Sequence, residues 1–171
     1  MFMQILKGTP VWVFVLFFAL LAIGVLQSRP RSVTPARLSI LPAAFIAFSI
    51  YGVIAAFGPH IAGLLAWASG LGATVLAGRA IRPGAGARWI DSTHAFHVPG
   101  SWVPLALMMA VFFARYAIAV SMAMRPALAH EPVFAIAASL AYGVLSGMFV
   151  ARALGILALR PASAPLSVQS N

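Results

Sequence analysis

Apolar stretches such as "VWVFVLFFALLAIGVLQ", residues 11 to 27, occur five times along the chain. In hydrocarbon no water meets a backbone N–H or C=O, so such a run must satisfy its own backbone, which a helix does. A membrane-spanning helix takes about 20 mostly apolar residues. Runs at about 9–27, 35–57, 61–80, 102–124 and 132–159 meet that length. The composition agrees: with 63% apolar and 8% charged residues, a soluble domain of 171 residues could not cover its surface. The expectation is an all-α bundle of five transmembrane helices forming one domain over 1–160. The remaining 161–171, small, polar and proline-containing, is expected to be a disordered tail.

Local punctuation divides these runs. Thr9-Pro10 and Thr34-Pro35 each pair an N-cap residue with a proline suited to the first helical position. Gly58-Pro59-His60 makes a tight uncharged turn, Ser101 is placed to cap the fourth helix, Pro126 ends it, and Pro132 opens the fifth. The first run is too long for the core of a cleaved signal peptide and is followed by "QSRPRS", so a retained anchor is expected.

The net charge of +9 would suggest nucleic acid in a soluble protein, but here the arginines flank apolar segments and nucleic acid is not expected as a partner. With five alternating spans, Arg29, Arg31, Arg37, Arg79, Arg82, Arg88, Arg152 and Arg160 fall on one side, against Lys7 and Arg125 on the other. Basic residues stay cytoplasmic. The N-terminus is therefore expected outside, with the tail and the 81–100 loop inside.

One arginine is left over. Arg115 lies in "VFFARYAIA", roughly 13 Å from the nearer, outer end of its helix at 1.5 Å per residue. Helical side chains lean toward the helix N-terminus, here the cytoplasmic end, so snorkelling outward opposes that lean. A place inside the bundle is expected, at the depth of Tyr142. The chain has two acids, Asp91 and Glu131, and neither is expected at that depth. Ser49, Tyr51, Ser69, Ser139 and Tyr142 are the polar candidates around it. Two readings compete. In one, Arg115 centres a polar site in a small transport or ligand-binding protein. In the other it only clasps helices, and the protein is an accessory or scaffold subunit of a larger membrane complex. Pro104, Met108, Val111 and Met122 share the face of Arg115, whereas Ala110, Ala114, Ala117 and Ser121 form a small-residue stripe suited to close packing.

Gly143 and Gly147 form a GxxxG pair expected to pack helices closely, within the chain or against a second copy or another membrane protein. "RWIDSTHAFHVPGSW" reads as a short hairpin around Trp89 to Val98, with Trp89, Phe96 and Trp102 as interfacial anchors. Asp91, His94 and His97 are too small a set to hold a metal without a fourth ligand, and no metal or cofactor is expected. Cysteine is absent, and no paired carboxylates, Ser-His-Asp set or phosphate loop is visible, so no enzyme activity is expected. "FSIYGVIAAFG" faintly echoes "ASLAYGVLSGMF", as inverted repeats would.

Pro10 with Trp12, Arg29-Pro30-Arg31 through Arg37-Leu38 to Pro42, Pro99 to Trp102, and Arg115-Tyr116 together resemble a family of small uncharacterised proteobacterial inner-membrane proteins. That resemblance covers most of the chain and implies a multi-pass protein of the bacterial cytoplasmic membrane. Over the first two helices the "RPR…RL…P" pattern is also similar to a membrane family associated with cytochrome c biogenesis. Neither resemblance implies catalytic residues.

Overall fold

The computed structural model describes residues 10–81 and 86–160. Five helices and a small sheet follow one another: α1 (Val11–Gln27), β1 (Arg31–Val33), α2 (Pro35–Phe57), α3 (Ile61–Ile81), β2 (Arg88–Ile90), β3 (Ala95–Val98), α4 (Val103–Met124) and α5 (Pro132–Leu157). Short 3-10 turns at Asp91–Thr93 and Pro126–His130 join β2 to β3 and α4 to α5. Helices α2 to α5 are long and apolar enough to cross a membrane. The first of the five expected spans, α1, has 17 residues among those described. At 1.5 Å per residue it reaches about 25 Å, short of a hydrocarbon core of about 30 Å. Thr9, its expected cap, and the 161–171 tail lie outside the described residues.

The helix starts follow the sequence cues in part. Ser101 Oγ accepts the N–H of Val103 at 3.2 Å. Thr34 caps α2 with its carbonyl, which accepts the Leu38 N–H, and not with its side chain. The α2–α3 turn passes through Gly58 at φ +78°, a conformation a side chain would strain.

The most intimate pair is α3 with α5, where glycines remove the side chains that would hold the backbones apart. A Cβ on Gly143 would collide with the Trp67 carbonyl, one on Gly147 would lie 2.8 Å from the Leu71 carbonyl, and one on Gly70 2.6 Å from that of Leu140. The expected GxxxG face thus lies against α3 of the same chain. Such approach lets dispersion hold helices where lipid removes the hydrophobic drive. On another side of α5, Phe45 of α2 stacks on Phe149 with ring centroids 4.2 Å apart. α1 leans on α4, with Gly24 under Leu105 and Phe17 against Phe112 at 5.3 Å.

β1, β3 and β2 form a three-stranded antiparallel sheet with β3 in the middle. The hairpin at 88–98 is present, but it gains a third strand from the α1–α2 connection. Val33, Phe96 and Val98 join Ala87 and Ile156 of α5 in a buried cluster. Phe96 is fully buried there, so it is a core residue and not the interfacial anchor expected of it. Trp102, 65% exposed, stays at the surface. Outward faces carry large apolar side chains, among them Phe18, Ile40, Leu65, Leu76 and Val133, a surface suited to lipid.

Candidate functional site

Arg115 reaches from α4 across to α2. Its Nη2–H donates to the Phe48 carbonyl, and the guanidinium lies over Gly52, where any Cβ would collide with it. The Phe48 ring is 4.9 Å and the Tyr142 ring 5.3 Å from the guanidinium carbon, so aromatic faces supply the negative potential that no carboxylate provides. The carbonyl already accepts within its helix, and a second lone pair remains for the arginine. The arrangement ties α4, α2 and α5 together.

Of the side chains expected around Arg115, the structure assembles Tyr142 and Ser49. Both line, with Phe45, Phe48, Val111, Leu145 and Ser146, a crevice of about 30 Å³ beside the guanidinium. That space holds about one water and no organic ligand. Ser49 Oγ also accepts from Trp67 Nε1–H at 2.8 Å, linking α2 to α3. The other three candidates are not brought to the crevice. Tyr51 is 68% exposed, on the opposite side of α2 from Ser49. Ser69 is exposed and donates to its own helix at the Ala66 carbonyl. Ser139 is fully buried, facing Gly63. Phe48, Gly52 and Ser146 were not anticipated. Residues 45, 48, 49 and 52 share one helical face, and that spacing was available in the sequence. On α4, Pro104 and Met108 are buried on the Arg115 side, but the small stripe does not make close packing. Ala110 and Ala117 are exposed, and Ala114 and Ser121 only half-buried.

A larger cavity opens at the other end of the molecule from the sheet. It measures about 660 Å³ and lies between the α2–α3 turn and the start of α5. Val53, Phe57, Gly63, Ala135 and Ile136 give it apolar walls, and His60, His130 and Glu131 give it a polar rim. Ser139 lies one helical turn below Ala135. A Cβ on Gly63 would be 3.3 Å from its Oγ, which has no hydrogen-bond partner. No sequence pattern announced this cavity, because its walls come from three separate segments.

At the sheet end, Asp91 Oδ1 accepts from Trp89 Nε1–H at 2.6 Å. His94 occupies the left-handed region at φ 46° in the turn, and His97 is exposed on β3. Among the described residues no group of three or more His, Asp or Glu is placed to hold a metal.

No solved structure matches the chain. An uncharacterised protein of Pasteurella multocida is similar, 36% identical over 61 residues, covering 36% of this chain. The matched region spans about half of that relative's length (48%). The likeness of α1 and α2 to a cytochrome c biogenesis family finds no support in these relationships. A family model described as a family of unknown function, DUF6622, matches residues 1–167, and the chain belongs to that family.

Proposed function

We propose that the protein is a non-enzymatic, multi-pass protein of the bacterial cytoplasmic membrane that binds a small amphipathic molecule. The site is the cavity rimmed by His60, His130 and Glu131, and Arg115 serves as a clasp. The observation that carries this reading is the contrast between the two spaces: about 660 Å³ at the rim and about 30 Å³ at the arginine. The first is in the range of small-molecule pockets, which have mostly apolar walls and a few polar groups. Glu131 is the one carboxylate there, so the favoured ligand carries an amine or hydroxyl head above an apolar body. The orientation fits a rim outside and the sheet inside, as the arginine distribution requires.

Binding of a long-chain alkylamine with a fluorophore at its tail, measured in nanodiscs, tests this reading. Glu131→Gln should weaken it, Ile136→Trp should weaken it by narrowing the apolar wall, and Arg115→Lys should leave it intact. An alkyl sulfate of equal length should bind less well. Equal binding of the alkylamine by wild type and Ile136→Trp would sink the proposal. Reporter fusions at 58–60 and at the C-terminus test the orientation; activity of an externally folding reporter at the C-terminus would reverse it.

The accessory-subunit reading keeps one supporting observation. The exposed alanines Ala106, Ala110 and Ala117 on α4 leave a small-residue face on which another membrane helix could pack. Cross-linking from cysteines introduced there, in native membranes, distinguishes a partner from lipid.

A further inference from the structure

Three arginines lie at the sheet end, and among the described residues none of them forms an ion pair. Arg31 is on β1, two residues before Val33, so by strand alternation both are on the face turned to α5. Val33 packs in one cluster with Ile156 of α5, and Leu38 of α2 packs against that cluster. Arg152 lies one turn before Ile156, and Arg37 adjoins Leu38 in the first turn of α2. This packing sets the β1 strand that carries Arg31 against the end of α5 that carries Arg152, with Arg37 in the neighbouring first turn of α2.

Their charges are felt. Burial, and then the nearby charge of Arg37, lower the Arg31 pKa from its ordinary value. Arg152 is in turn within electrostatic reach of Arg31. Among the described residues one protein acceptor serves the group: Arg31 Nη2–H donates to Gln27 Oε1 at 2.9 Å. The whole chain contains two acidic side chains. Glu131 is at the opposite end, and Asp91 accepts from Trp89. Among the described residues neither carboxylate forms an ion pair with any of the three arginines. Holding like charges near one another is unfavourable unless an anion joins them.

We propose that Arg31, Arg37 and Arg152 form a site for a phosphate group, supplied by the headgroup of an anionic phospholipid. Guanidinium forks match phosphate oxygens in pairs, and basic pockets between helices at the membrane surface suit lipid headgroups. The site is at the other end of the molecule from the cavity and does not depend on it.

Thermal unfolding of the full chain in a neutral detergent tests the site, with phosphatidylglycerol, phosphatidylcholine or inorganic phosphate added at constant ionic strength. Phosphatidylglycerol should raise the unfolding temperature of wild type at far lower concentration than phosphatidylcholine. In Arg31→Gln/Arg152→Gln the half-saturating concentration should rise about ten-fold, the loss of one charge-assisted contact or more. Arg125→Gln, at the opposite end, should respond as wild type does. If the double variant does not fold, exposed Arg37→Gln carries the same test with a smaller shift. Protection by inorganic phosphate alone, lost in the same variants, supports the phosphate site with a soluble source. Equal protection by phosphatidylglycerol and phosphatidylcholine, or an unchanged response in the arginine variants, would overturn the proposal.

Discussion

Replacing Gly52 with alanine probes what Arg115 contributes to the bundle. The added Cβ would collide with Arg115 Nη2 and lie 2.9 Å from its Cζ, so the guanidinium must shift, and its hydrogen bond to the Phe48 carbonyl is expected to be lost. A hydrogen bond from a charged group is worth about 1.5–3 kcal/mol in water-soluble proteins. Interhelical hydrogen bonds in bilayers average nearer ~0.6 kcal/mol. Each displaced aromatic contact adds about 0.5–1 kcal/mol. The loss is therefore about 2–3 kcal/mol, offset by about 1 kcal/mol because alanine is the better helix former. Net destabilisation should be about 1–2 kcal/mol. Gly72 is the control, since a Cβ there meets nothing within 4 Å, and Gly72→Ala should stabilise by up to about 1 kcal/mol. Unfolding in mixed micelles, followed by tryptophan emission, gives both values. In an Arg115→Met background, Gly52→Ala should behave like Gly72→Ala. If the two alanine variants differ by less than about 0.5 kcal/mol in the wild-type background, within the usual error of such comparisons, the clasp does not exist.

Three further outcomes are expected. Gly143→Ala drives a methyl into the Trp67 carbonyl, a backbone atom that cannot swing aside, and should destabilise by about 1–3 kcal/mol in the same assay. Ser139→Ala removes a buried hydroxyl with no partner and should leave the ligand-free protein unchanged or more stable by about 1 kcal/mol; clear destabilisation would reveal a partner for Ser139. Phe96→Ala empties the centre of the sheet cluster at a cost of about 3–5 kcal/mol, with a red shift of Trp89 emission, since that ring stands 4.9 Å from Phe96.

Most helix positions were legible because apolar length and Pro, Gly or Thr punctuation are local properties. The hairpin too was written locally, in turn residues between short apolar arms. β1 was not, since "RSV" has no pattern of its own and becomes a strand only by pairing with residues more than sixty positions later. For Arg115, counting along helices gave depth but not direction around the axis. Ser49 and Tyr51 share a depth, yet they stand on opposite faces of α2. The Phe48 carbonyl was invisible because backbone acceptors leave no mark on composition. In the echo between "SIYG" and "LAYG", Tyr51 is exposed where Tyr142 is 6% exposed, so the matched letters occupy unlike surroundings.

The sheet also has a meaning for how the chain is assembled. β1 leaves the ribosome before α2 and α3, and its partner β3 follows them. In the proposed membrane arrangement, pairing demands that both strands be on one side of the bilayer, so the segment between them must cross an even number of times. In that arrangement α2 and α3 do so. A chain in which α2 or α3 failed to insert would strand β1 and β3 on opposite sides, with Val33 and Phe96 left without each other. In the proposed arrangement the three-stranded sheet would thus act as a parity check on insertion, one that reads the outcome through hydrogen bonds and does not rely on the arginines.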